Sequence, residues 1–259
     1  MMQAVVDIHA KKQPIVAALD IVKFLGSGAG RVEALKGVSL ALMGGELTLL
    51  MGPSGSGKTT LLSILGCILA PTQGTVRVRG GSTQGLGAEV LAKLRREHIG
   101  FIFQSYHLFP TLTALENVRL VFDVRGERSR RAQIEAKDAL LRVGLAHKTK
   151  SYPVELSGGE QQRVAIARAI AGQASAILAD EPTAALDSEN GHAIMTILAG
   201  IAKDPSRAVL VVSHDPRILP FADRVVRIED GRIVGEERKD AGGYKKSEVE
   251  LAFHAHRKR

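Results

Sequence analysis

Apolar and polar positions alternate along this chain with two different periods, and the switches between them mark out its elements. Leu47 to Met51 is a short apolar run of the kind that forms a strand buried on both faces. A glycine-rich turn follows, then an apolar helical stretch beginning near Lys58. Thr75 to Arg79 alternates as a strand, Leu86 to Glu97 has helical spacing, and Gly100 to Phe103 is again a short strand. Two more buried strands are expected at Ala176 to Ala179 and Ala208 to Ser213, and Asp230-Gly231 between RVVRIE and RIVGE is a hairpin signal. From about Gln104 to Ile170 the pattern is mostly helical and has legible ends. Thr113 with Glu116 and Ser157 with Glu160 form capping boxes, and Gly144 stops the amphipathic stretch Arg128 to Val143. Short strands alternating with helices predict an α/β core with a helical insertion over 104–170. No period of tens of residues is present, which argues against a solenoid.

Length and composition narrow the class without naming it. A chain of 259 residues, 45% hydrophobic and 24% charged, reads as a globular protein with a sizeable core. No window approaches the roughly 18 apolar residues of a membrane-spanning helix. The start of the chain has its apolar stretch before its lysines, the wrong order for a signal peptide. The single Cys67 cannot form an internal disulfide, which fits a cytoplasmic setting. Lys and Arg outnumber Asp and Glu by 35 to 27, for a net charge of +8. The positive charges are scattered, with one denser run at Arg125, Arg128, Arg130 and Arg131 that reads as a solvated helix face. Aromatics are only 4% with no Trp, so stacking platforms are scarce and a nucleic-acid partner is not expected.

The chemistry concentrates in three places. GPSGSGKT, that is Gly52, Pro53, Ser54, Gly55, Ser56, Gly57, Lys58 and Thr59, followed by Thr60, sits between an expected strand and helix. Glycines let the backbone curl so that N–H groups converge on phosphate oxygens, and the helix N-terminus adds its dipole. Lys58 is placed to neutralise β and γ oxygens and Thr59 to offer its hydroxyl to magnesium. AILADEP then supplies Asp180 and Glu181 at the end of a buried strand, one carboxylate for the metal side and one to activate water. Alone, two such acids are usually a cap or a turn; beside GPSGSGKT the functional reading prevails. LSGGEQQR opens another helix with serine and paired glycine, a second phosphate-binding terminus about a hundred residues away. One nucleotide can scarcely use both termini unless another molecule presents the second.

At these residues the sequence closely resembles the ATPase subunit of ABC transporters, over about Leu19 to Glu236, with LSGGEQQR as the family's signature motif. The resemblance implies a single P-loop NTPase domain over 19–238, its α/β core at 19–103 and 171–238 and its helical subdomain at 104–170, followed by a polar tail at 239–259 in which LAFHAH can dock. It also implies a glutamine loop at Gln104, a D-loop with Asp187 and a switch histidine at His214. ATP with Mg2+ would lie between the Lys58 loop of one subunit and Ser157, Gly158 and Gly159 of the other in a head-to-tail homodimer. Glu181 would polarise the attacking water, His214 would contact the γ-phosphate, and Asp180, Thr59 and Gln104 would serve the metal. Where the family stacks adenine on a tyrosine, Phe24 falls nearest, keeping the ring and losing the hydroxyl.

LRREHIGFIFQSYHLFPTLTALENV and HDPRILPFADRVVRIEDGRIV resemble the branch serving macrolide export and lipoprotein release, and TAALD and RILPFADR most resemble cyanobacterial glycolipid exporters. That implies a peripheral position on the cytoplasmic face of the inner membrane, a separate integral-membrane permease, and often a periplasmic adaptor beyond it. Tyr106, Leu108 and Phe109, just after Gln104, are the expected coupling surface. Two other classes stay open: an ABC-type ATPase acting on DNA or ribosomes, disfavoured by a single cassette without a heptad insertion, and a regulatory or cell-division scaffold, which sequence does not separate from transport.

Overall fold

The computed structural model describes residues 13–240 and 243–246, so LAFHAH lies outside the described residues. Two long strands that the apolar pattern does not announce begin it, β1 (Val16–Leu25) and β2 (Val32–Leu42), paired antiparallel. Their pairing shifts register between Ala18 and Ile21, between Ile21 and Val22, and between Lys23 and Phe24. Each shift breaks the period of two by which a half-buried strand is recognised. β3 (Glu46–Met51) follows, buried at every position. With β4 (Gln73–Val78) and the two-residue β5 (Gly81–Ser82), the first two strands form an antiparallel sheet in the order β2-β1-β4-β5.

The second sheet carries the site. Its remaining strands are β6 (Ile99–Ile102), β7 (Ala176–Asp180), β8 (Ala208–Ser213), β9 (Arg224–Glu229), β10 (Arg232–Asp240) and β11 (Gly243–Lys246), in the order β11-β10-β9-β3-β8-β7-β6. The five strands β9, β3, β8, β7 and β6 run parallel, and β10 and β11 continue antiparallel from the Asp230-Gly231 hairpin. Helix α1 (Lys58–Leu65) lies between the two sheets, burying Leu61, Leu62, Ile64 and Leu65 in one apolar cluster. A second cluster joins the other face of the large sheet to the helical subdomain and the later helix α6 (Ser188–Ala202). Among the described residues no helix is long and apolar enough to cross a membrane.

The segment 104–170 contains three α-helices. After α2 (Ala88–His98) and β6 come α3 (Ala114–Asp123), α4 (Arg130–Arg142) and α5 (Gly158–Ile170). Thr113 and Glu116, and Ser157 and Glu160, make both expected capping boxes. Gly144, at φ 76°, lets α4 close with its own N–H on Leu141 and that of Leu145 on Leu140, a Schellman ending. The expected polar tail from 239 starts differently. Lys239 and Asp240 complete β10, β11 pairs with it, and the Tyr244 hydroxyl donates to the carbonyls of Leu219 (2.5 Å) and Ala222 (2.8 Å). One aromatic anchor thus extends the sheet into sequence whose composition reads as loop.

Candidate functional site

Parallel strands deliver their C-terminal ends to one edge of a sheet, and here β3, β8 and β7 are neighbours. β3 runs into the phosphate loop, β7 ends at Asp180 followed by Glu181, and β8 ends at Ser213 followed by His214. The sequence-expected residues 52–59, 180, 181 and 214 are therefore brought to one edge by topology alone.

The loop has the shape its glycines require. Gly55 and Gly57 have φ of 79° and 100°, and a β-carbon on Gly57 would stand 2.7 Å from the Ala34 carbonyl oxygen. Lys58 is buried and donates to the carbonyls of Gly52 (2.8 Å) and Pro53 (2.7 Å), folding its ammonium over the loop. The Ser56 hydroxyl is buried without a partner. An ammonium resting on two loop carbonyls and an orphaned hydroxyl, at the N-terminus of α1, fit a polyphosphate. Thr59 lies against Asp180, its Oγ1 3.3 Å from Oδ1. Burial pushes the Asp180 carboxyl above its ordinary range; the Thr59 hydroxyl and the Lys58 charge act the other way, and the Glu181 charge adds to the rise. Among the described residues no three His, Cys, Asp or Glu gather into a metal cage. One hydroxyl and one carboxylate beside a phosphate loop suit magnesium, which keeps water and phosphate as its other ligands.

Glu181 is the most constrained member. Its φ is 47°, in the left-handed region, and its N–H donates to the Val212 carbonyl at 2.9 Å. One carboxylate oxygen accepts from the Ser213 hydroxyl at 3.1 Å and the other lies 2.7 Å from His214 Nδ1. The turn aims the carboxylate along the sheet edge, and two side chains from β8 and its end fix its rotation. Such a group can orient water once the imidazole moves.

Ser157, Gly158 and Gly159 form the N-terminus of α5, capped by the Ser157–Glu160 box. The Ser157 N–H bonded to Glu160 holds that carboxyl below its usual range. The atoms nearest to where β-carbons on Gly158 and Gly159 would sit belong to Tyr106, Leu186 and Asn190, none of them in the phosphate loop. Asp187 caps α6, accepting from Asn190 N (2.9 Å) and Nδ2 (2.7 Å), and these bonds hold its carboxyl low. Gln104 is exposed in the loop after β6, and no hydrogen bond ties its side chain to Asp180 or Thr59. Phe24 is half-buried near the end of β1, with the Arg31 guanidinium 4.0 Å over its ring. Of the expected coupling residues, Leu108 packs against the core and Tyr106 reaches Gly158, leaving Phe109 exposed.

Several side chains that organise the site were not legible beforehand. Ser213 stands in VVSHD, one residue before His214, and could have been found from that motif. Gln162, fully buried on α5, donates to the Pro182 carbonyl at 2.9 Å, and a β-carbon on Gly159 would stand 2.5 Å from Asn190 Oδ1. These are tertiary contacts without a sequence period.

The fold and loop define a P-loop nucleotide-binding α/β domain with an inserted helical subdomain. A family model described as ABC transporter matches residues 35–184. The macrolide export ATP-binding/permease protein MacB of Escherichia coli (strain K12) is 47% identical over 221 residues, covering 85% of this chain and 34% of that protein. MacB of Shigella flexneri matches over the same shares. The chain thus spans about a third of the length of the curated relatives it matches. Among solved structures, the ATP-binding cassette MJ0796 in a dimeric post-hydrolysis state bound to ADP and Pi superposes with a TM-score of 0.79 at 41% identity, covering 86% of this chain and 98% of that one. CbiO1 from Clostridium perfringens, part of the ABC transporter complex cbiONQ, gives 0.77 at 27% identity, covering 86% and 88%. This chain belongs to the ABC transporter family.

Proposed function

We propose that the chain is the ATP-hydrolysing motor of a transporter, acting as a head-to-tail homodimer on a separate membrane permease at the cytoplasmic face of the inner membrane. The observation that carries this is the meeting, at one sheet edge, of the Lys58 loop, the Thr59–Asp180 pair and a Glu181 carboxylate held by Ser213 and His214. Lys58 exchanges its two carbonyl partners for β and γ oxygens of ATP. Thr59 and Asp180 hold Mg2+, which supplies positive charge to the phosphate oxygens when bound. Glu181 takes the proton of the attacking water after His214 turns from it toward the γ-phosphate. Ser157, Gly158 and Gly159 of the second subunit close the site with the capped N-terminus of α5. Gln104 reports occupancy to the permease, Asp187 braces the dimer seam, and Phe24 stacks the adenine once Arg31 leaves its ring. The MJ0796 cassette, a dimer with ADP and Pi, supports the two-chain arrangement, and the name of MacB supports a permease partner. The resemblance of TAALD and RILPFADR to glycolipid exporters favours a lipidic or hydrophobic cargo, with a periplasmic adaptor reached through the permease.

The test is complementation between two inactive chains. Ser157→Arg spoils the surface offered to the partner, and Lys58→Ala spoils the chain's own loop. An equal mixture should recover about a quarter of the wild-type ATPase rate, because about half of random dimers are mixed and each holds one complete site. Recovery no greater than the sum of the two separate variants would refute the shared site.

A further inference from the structure

The loop after β6 contains two adjacent non-glycine residues in the left-handed region, Tyr106 at φ 60° and His107 at φ 47°. L-residues do not adopt such a pair without support from their surroundings. Within the loop, Tyr106 N donates to Phe103 (3.1 Å), His107 N donates to Ser105 (2.6 Å), and the rings of Phe103 and His107 lie 4.7 Å apart. The remaining support comes from α5. Arg168, in its last turn, donates from one guanidinium nitrogen to the His107 carbonyl at 2.6 Å and from the other to the Tyr106 carbonyl at 2.8 Å. Burial lowers the pKa of this guanidinium, with no carboxylate charge acting the other way. A planar fork gripping two successive carbonyls fixes both the position and the orientation of the peptide planes, which a single ammonium does not do. At the other end of the same helix, a β-carbon on Gly158 would stand 2.9 Å from the Tyr106 hydroxyl. The loop therefore touches α5 at its first residue and at its last turn.

We propose that Arg168 is a positioning residue that makes the Gln104–Phe109 loop and the signature helix α5 one mechanical unit, so that a displacement of the loop carries Ser157–Gly159 with it. This rests on the motor reading above: the loop is where a permease would push, and the α5 terminus is what the opposite nucleotide would meet. A half-buried strut between two functional surfaces transmits a shift because its two carbonyl bonds admit few alternative geometries.

The experiment uses the full chain with Arg168→Met and Arg168→Lys. Backbone hydrogen exchange of the nucleotide-free protein is read at residues 104–109 and, as a reference, in β3, β7 and β8. Steady-state ATPase gives kcat and the KM for ATP. In Arg168→Met the loop amides should exchange tenfold or more faster while the reference strands stay unchanged. The kcat should fall tenfold or more with KM within twofold of wild type, since the Lys58 loop is built from other elements. Arg168→Lys, which reaches one carbonyl, should restore part of both effects. Unchanged loop exchange in Arg168→Met overturns the link, and so does a wild-type kcat. A fall in kcat accompanied by faster exchange in the reference strands and a raised KM overturns it too, showing a general structural pillar. A wild-type chain without ATPase would sink the motor reading instead, and the exchange measurement would still decide whether Arg168 joins loop to helix.

Discussion

Glu181 shows how much of the proposed chemistry depends on one side chain's surroundings. Its left-handed φ, the Ser213 hydroxyl and the His214 imidazole leave the carboxylate a single orientation. Glutamine at this position keeps the shape and can still accept from Ser213, but it has no basic oxygen for a proton. Glu181→Gln is therefore expected to lower hydrolysis by ~100-fold or more, within the range typical of a lost general base. ATP affinity should be unchanged and an ATP-bound dimer should accumulate on size exclusion; a monomer under saturating ATP would contradict the role. Asp180 and Glu181 were readable from sequence because they directly follow an apolar run, in a chain that also carries GPSGSGKT. The grip on them was less readable. A hydroxyl arriving from β8 is brought to β7 by sheet order, and a single strand's sequence does not encode its neighbour.

At the level of elements, α3 shows a legible start and a hidden purpose. Its capping box was plain in T-x-x-E, yet Asn117, one residue further on, does the larger structural work. Asn117 is fully buried; its oxygen accepts from Phe109 N at 2.8 Å, and its amide donates to the carbonyls of Phe109 (3.1 Å), Leu112 (2.9 Å) and Thr113 (3.1 Å). The side chain thus pins the proline-bearing end of the loop that begins at Gln104. Asn117→Ala would strand the Phe109 N–H and the Leu112 carbonyl, whereas the Phe109 and Thr113 carbonyls keep the N–H groups of Leu112 and Asn117, a loss of about 3 kcal/mol. Thermal unfolding is expected to fall by roughly 5–10 °C for a chain of this size. A melting point within a degree of wild type would show that water or neighbouring groups replace the amide. The elements hardest to foresee were β1 and β2, where register shifts scramble the alternation. The helical insertion was the easiest, because caps and a C-terminal glycine are local signals that tertiary packing does not erase.

For the whole molecule, the question is how a motor would reach a membrane partner. The loop expected to do so divides its duties: Leu108 seals the core, Tyr106 reaches α5, and Phe109 is 54% exposed. Phe109 is therefore the residue available to a permease. Phe109→Ala should leave the melting point and basal ATPase within error of wild type while weakening permease capture tenfold or more, as loss of an aromatic anchor does. Leu108→Ala should lower the melting point instead. Equal capture by wild type and Phe109→Ala would move the coupling surface elsewhere.

The phosphate loop also leans on residues far from it in sequence. Gly52 has no room for a β-carbon beside the Ile228 carbonyl, the Gly231 N–H donates to the Ser56 carbonyl at 3.1 Å, and the Ala34 carbonyl is wedged 2.7 Å from where a β-carbon would sit on either Gly57 or Gly231. Residues 35–184, the stretch shared with the family model, contain the phosphate loop and both carboxylates but stop short of this floor. Recombination that swapped that stretch alone into another gene would carry over the recognisable letters and lose their foundation. A phosphate loop moved to another scaffold would therefore need the opening strand pair and the Asp230-Gly231 hairpin to travel with it.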